Sequence, residues 1–245
     1  MKTCQTVVTL SLAALGLMAS PHAASAYSLS HLDTDTDYNA LIDQLSFVPE
    51  GRIGSNSIGG TTYELDIHDI VNNNFVILDR DEFVWSNGTA TPFTLAYQAG
   101  TQNVSYSVGG KTLNSAATGP FTDILIRTRA TKPNSKIEVN NLFLNGLALN
   151  DSSVADADGD SLDYLRIRGL SDKTDFLLTG QSIMSWLGAT PSQSQLAYQI
   201  KVGTTVEGPL SESESVPEPA SMSLFSLIVG GIAWMRSGRR SKHKA

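Results

Sequence analysis

The chain has 245 residues, 41% hydrophobic and 17% charged, with 20 glycines; this balance fits an exported β-rich protein better than a cytosolic helical one. All 24 acidic residues lie between Tyr27 and Glu218, with 11 of the 17 basic ones, so that segment carries −13 of charge while the whole chain carries −7. Such a surface disfavours nucleic acid and anionic lipid as partners and leaves divalent cations and neutral glycans open.

Residues 1–26 read as a secretory signal peptide. Lys2 supplies the positive start, Val7 to Met18 the apolar stretch, and Ala24-Ser25-Ala26 the small-residue cleavage site, with Ala24 and Ala26 flanking the serine. The single cysteine, Cys4, falls inside it, so the mature chain is expected to have no disulfide, thiolate metal site or cysteine nucleophile. An exported domain over residues 27–206 is held by packing alone.

From Asp33 to Val48 the spacing of Tyr38, Leu41, Ile42 and Leu45 marks one face of a short helix, with Thr36 as its N-cap. A first strand follows near Arg52-Ile53. From Thr61 the period becomes two: Tyr63, Leu65 and Ile67 alternate with Glu64, Asp66 and His68. Phe75 to Leu78 is a short apolar strand and Asp79-Arg80-Asp81 a turn. Phe83-Val84-Trp85 meets Asn87-Gly88, a strong turn signal. Phe93, Leu95 and Tyr97 alternate, as do Val104, Tyr106 and Val108 before Gly109-Gly110. Further strands cover Thr122 to Thr128, Lys136 to Leu144, Leu162 to Arg168, Asp175 to Thr179, Ser182 to Leu187 and Gln195 to Val202. About ten short strands separated by Gly-, Asn- and Ser-rich turns predict an all-β fold, an antiparallel two-sheet β-sandwich, jelly-roll-like, with a short N-terminal helix.

Residues 207–216 form a polar stalk. Beyond it, Val216-Pro217-Glu218-Pro219 is held extended by its prolines. Residues 220–235 are uncharged and carry Leu224, Phe225, Leu227, Ile228, Val229, Ile232 and Trp234. As a helix they would span about 24 Å at ~1.5 Å per residue, a short transmembrane helix that snorkelling cations can extend. The basic tail 236–245 supplies Arg236, Arg239, Arg240, Lys242 and Lys244, and cations on one side only place that side in the cytoplasm.

This order of Pro-Glu-Pro, short apolar helix and basic end resembles the PEP-CTERM sorting signal, matched residue by residue at Pro217, Glu218 and Pro219. The resemblance implies export, transient anchoring in the inner membrane, processing by an exosortase with a cysteine nucleophile, and transfer to the cell envelope or extracellular matrix. The secretion machinery and the exosortase are the partners it implies. Across residues 47–203, Glu50-Gly51-Arg52-Ile53-Gly54, Phe121 to Ala130 and Met184-Ser185-Trp186 resemble exported choice-of-anchor domains of the W type, which imply no reaction.

Three constellations carry chemistry. Asp156, Asp158, Asp160 and Asp163 place carboxylates at alternate loop positions, as a calcium ligand set would; Ser161 stands where a calcium loop needs glycine and Ile167 where it needs glutamate, so an acidic solvated turn is the competing reading. Gly109-Gly110-Lys111-Thr112 mimics the end of a phosphate loop but lies in a hairpin. Trp85, Tyr97, Tyr106 and Trp186 offer either core packing or, for Trp85, Tyr106 and Trp186, stacking faces for a glycan. The catalytic inventory is thin: His68 lies between acidic neighbours on a strand, where a histidine decorates the surface, and no nucleophile elbow occurs. The expectation is therefore not an enzyme but a structural or adhesive surface protein, with calcium as the one candidate ion and exopolysaccharide as a candidate partner. A carbohydrate-binding module and, behind it, a secreted hydrolase are the alternatives.

Overall fold

In strands such as Ala90–Gln98 and Asn103–Val108 the apolar residues recur at every second position, and their burial alternates in step. This period puts one side of each strand against a core and defines the architecture. The computed structural model describes residues 27–54, 63–71, 74–171 and 174–206. The stalk, the Pro-Glu-Pro motif, the apolar run 220–235 and the basic tail lie outside these residues, as does the 1–26 segment. Among the described residues no helix is long and apolar enough to cross a membrane.

Among the described residues fourteen strands and one helix follow one another: β1 (Ser28–Leu32), α1 (Asp35–Leu41), β2 (Ile42–Ile53), β3 (Leu65–Val71), β4 (Asn74–Asp81), β5 (Ala90–Gln98), β6 (Asn103–Val108), β7 (Lys111–Ala116), β8 (Asp123–Ala130), β9 (Ser135–Leu144), β10 (Leu147–Ala148), β11 (Ser153–Asp156), β12 (Leu162–Arg168), β13 (Phe176–Trp186) and β14 (Leu196–Thr205). They form two antiparallel sheets of seven strands. The first runs β1-β12-β8-β14-β2-β3-β4, and the second β10-β9-β13-β5-β6-β7 with β11 also on β9. The all-β sandwich expected from the alternation is the fold.

The inner faces meet through Phe47, Ile67, Ile126, Ile167 and Ile200 from the first sheet and Leu95, Tyr106, Val139, Leu178 and Met184 from the second. Phe121 sits edge-on to Phe47 and Tyr97, with ring centroids 5.5 and 4.7 Å apart, a preferred aromatic geometry. Tyr106 and Tyr198, facing each other across the sandwich, share a hydroxyl hydrogen bond of 2.6 Å.

Several elements differ from the sequence expectation. The helix is capped by Thr34, not Thr36: its hydroxyl oxygen accepts from the Asp37 N–H at 3.1 Å. It ends at Leu41, because Ile42 turns extended and enters β2, where residues 42–53 pair with β14. Asp79-Arg80-Asp81 is not a turn but the end of β4, paired with Leu65 to Ile67. The turn expected at Asn87-Gly88 is present and lies between β4 of the first sheet and β5 of the second. The strands expected at Asp175 to Thr179 and Ser182 to Leu187 are one, β13, bent by a register shift between Thr179 and Gln181 against β9.

Candidate functional site

The outward face of the first sheet carries a buried row of charge. Leu65 and Ile67 of β3 point into the core, so Asp66 and His68 point away from it, as do Glu50 and Arg52 from β2. The register sets Glu50 opposite Asp66. All four are 5% exposed or less, so the surface role expected for His68 is corrected. Arg52 Nη2 donates to Glu50 Oε2 at 2.9 Å and also to Asp66 Oδ2. His68 Nδ1 lies 2.6 Å from Asp66 Oδ1, its ring against Phe75 at 4.2 Å. Gln199 donates to Glu50 Oε2 at 2.9 Å, and the Arg52 guanidinium lies 5.1 Å from the Tyr63 ring centre.

Burial pushes the Glu50 carboxyl above its usual range, and the Arg52 charge only partly opposes this. One ligand atom each from Glu50, Asp66 and His68 lie within 4.8 Å of one another, a spacing that could hold a metal ion. Arg52 already bridges both carboxylates and supplies the compensating charge, so the cluster closes on itself. Sequence reading missed it because alternating polar residues on a strand look solvent-facing; the opposed charges of Glu50-x-Arg52 and Asp66-x-His68 were the available signal.

A second buried polar group lies further along the same face. Lys201 Nζ sits 4.0 Å from the Tyr38 ring centre, and Tyr38 is stacked on Tyr164 at 4.9 Å. Lys201 donates to the Tyr164 hydroxyl at 3.0 Å, which donates to Asp35 at 2.6 Å. Burial first, and then the nearby Arg127 charge, bring the Lys201 ammonium down to about 8. Asp123 and Arg166 form a buried ion pair at 2.7 Å, with Thr205 donating to Asp123.

The expected aromatic stacking faces separate. Tyr106 is 1% exposed and offers no face to a sugar; its place is in the core, as is that of Tyr97. Trp85 is half-buried against Phe83 and Tyr198, and its indole N–H donates to the Arg52 carbonyl at 2.7 Å. Trp186, at the end of β13, packs one side on the core and lines an open cleft of about 520 Å³.

The aspartates of the acidic loop divide in the same way. Asp156 and Asp158 line the Trp186 cleft with Asn87, Asn134 and Lys136, whereas Asp160 and Asp163 line a different hollow beside His31. Asp163 accepts from the Val154 N–H at 3.1 Å and lies 2.8 Å from His31 Nδ1; Asp151 reaches His31 Nε2 at 3.2 Å. The Asn134 N–H donates to the Asp158 carboxylate at 3.0 Å, and the Asp158 N–H to Asp156 Oδ1 at 3.0 Å. Among the described residues no three of the four aspartates lie close enough together to hold a metal ion, while backbone N–H groups and His31 engage Asp156, Asp158 and Asp163.

The cleft is rigidly tied. Asn87 clamps the Trp186 backbone, donating to its carbonyl at 2.9 Å and accepting from its N–H at 3.0 Å. The Leu187 N–H donates to the Asn134 carbonyl at 3.0 Å. Asn87 and Asn134 appear in the sequence only as turn residues, so their meeting at Trp186 was not legible there. No protein-family model matches the chain, and no curated protein matches it.

Proposed function

We propose that this is an exported envelope or extracellular-matrix protein, sorted through its C-terminal segment, with a structural or adhesive β-sandwich. The observation that carries the reading is the unbroken order of Val216-Pro217-Glu218-Pro219, the apolar run 220–235 and five cations from Arg236 to Lys244. In this reading the precursor is held in the inner membrane with its basic tail inside. An exosortase then processes it near the proline motif, and the domain passes to the envelope or matrix.

Two features of the fold support a passive domain. Buried polar bonds tie neighbouring strands of the first sheet, Arg52 to Asp66, Arg166 to Asp123 and Lys201 to the Tyr164 hydroxyl, an arrangement that stiffens a sheet face. The last described strand ends at Thr205, in sequence before the residues 207–216 read as a polar stalk and the Pro-Glu-Pro motif that follows.

The test is processing in the native host. Pro217→Ala with Pro219→Ala removes the two residues that bar helix from the motif, and uncleaved, membrane-retained chain should accumulate. Indistinguishable processing of the altered and natural chains would overturn the reading.

A further inference from the structure

The Trp186 cleft contains more than a tryptophan. Its volume of about 520 Å³ falls within the range of small-ligand sites, roughly 300–1,000 Å³. Its walls come from four separate segments: the turn before β5, the turn before β9, the loop after β11 and the end of β13. Their mutual backbone ties leave a set of side-chain groups over. The Trp186 indole N–H, the Asn134 carboxamide and the second carboxylate oxygen of Asp156 make no hydrogen bond among the described residues. Lys136 Nζ meets Glu138 only at 3.8 Å.

We infer that this cleft binds a neutral hexopyranose glycan, with the sugar ring on the free side of Trp186. A pyranose presents an apolar C–H face and a rim of hydroxyls that both donate and accept. The indole offers an apolar surface to the first. Asp156 accepts from hydroxyls, the Lys136 ammonium donates to sugar oxygens, and the Asn134 amide does both. The two carboxylates outnumber the one ammonium at the cleft, and the segment from Tyr27 to Glu218 carries −13, so an acidic polysaccharide is repelled and a neutral one is not. A peptide taken up by strand addition needs a free sheet edge. Here β13 lies between β9 and β5, and β9 is paired with β10, β11 and β13.

This deepens the adhesive half of the proposed function and is independent of the sorting half, because binding is read in vitro on the uncleaved chain. The full chain, purified in a zwitterionic detergent, is titrated calorimetrically with hexasaccharides of β-1,4-, β-1,3- and α-1,6-linked glucose, β-1,4-linked mannose, and a polyuronate. Saturable binding of at least one neutral hexasaccharide is expected, with none of the polyuronate. Trp186→Ala should weaken it at least tenfold. Asn134→Gly and Asp156→Asn should each weaken it threefold or more; the first keeps the left-handed backbone at φ 58° and the second keeps the oxygen that holds the Asp158 N–H. These two decide the matter if Trp186→Ala fails to fold. Val84→Ser, 88% exposed and outside the cleft, should bind as the natural chain does. No saturable binding of any neutral hexasaccharide, preference for the polyuronate, or affinity unchanged in the cleft variants would overturn the inference. Undisturbed binding with failed processing, or the reverse, separates this inference from the sorting proposal.

Discussion

Replacing Arg52 by methionine tests whether the row of charge on the first sheet is held by its one guanidinium. The substitution keeps the stem but leaves Glu50 and Asp66 facing each other in a region where both are 5% exposed or less. Removing one partner of a buried ion pair typically costs about 3–5 kcal/mol. For a domain of 150–250 residues each kcal/mol moves the melting temperature by roughly 2–4 °C, so a fall of roughly 6–20 °C is expected. The loss must depend on pH. Burial already holds the Glu50 carboxyl above its ordinary 4.5, and loss of Arg52 raises it further. The folded state then binds more protons than the unfolded one between 4.5 and the raised value, so stability falls as pH rises through that window. Thermal unfolding by circular dichroism should show the variant nearest to the natural chain below pH 4.5 and furthest from it at pH 8. Adding Glu50→Gln should recover part of the loss at pH 8. A gap below about 1 kcal/mol, or one that is equal at both pH values, would refute the reasoning.

Lys201 titrates at about 8 in the folded state against 10.5 in the free side chain, so the folded state binds fewer protons between these values and stability rises with pH across them. The urea midpoint should increase from pH 7.5 to 9.5 in the natural chain and stay flatter in Lys201→Met. Burial pulls the His31 pKa down, but the Asp163 and Asp151 carboxylates outweigh it and leave it raised above 6.5. Its contribution is therefore complete below 6.5 and lost as pH climbs past the raised value. Hydrogen exchange of the β1 amides, corrected for intrinsic rate, should accelerate over that range in the natural chain and not in His31→Gln. Gly203→Ala would place a Cβ 2.2 Å from the Gln44 carbonyl oxygen, forcing β14 and β2 apart. A loss of about 1–3 kcal/mol or more in chemical denaturation is expected.

The strands that the sequence shows well are those with one wet and one dry face. In β6 the alternation of Val104, Tyr106 and Val108 with serines predicts both the element and its core residues, and β12 has the predicted bounds. Reading failed where that contrast is missing. In β7, Lys111–Ala116, only Leu113 is buried, so no alternation marks the strand. In β2, Glu50 and Arg52 are as buried as Ile53, so both faces of the strand are covered there and a polar residue no longer means solvent. Charged residues at the end of β4 read as a turn because an edge strand tolerates them. The Trp186 cleft was half visible: its tryptophan and aspartates stand out singly, but their meeting depends on the Asn134 and Asn87 turns, which no local pattern brings together.

The position of β14 bears on how the domain carries load. It is the last strand among the described residues, yet it lies in the middle of its sheet, laddered to β8 from Leu196 to Gly203 and to β2 from Leu196 to Thr205. A pull applied at Val206 along the strand enters two antiparallel ladders together. Their hydrogen bonds run perpendicular to the strand, so the force shears them in parallel instead of peeling an edge one bond at a time. A domain tethered through this end therefore meets traction at a strand bonded along both of its edges.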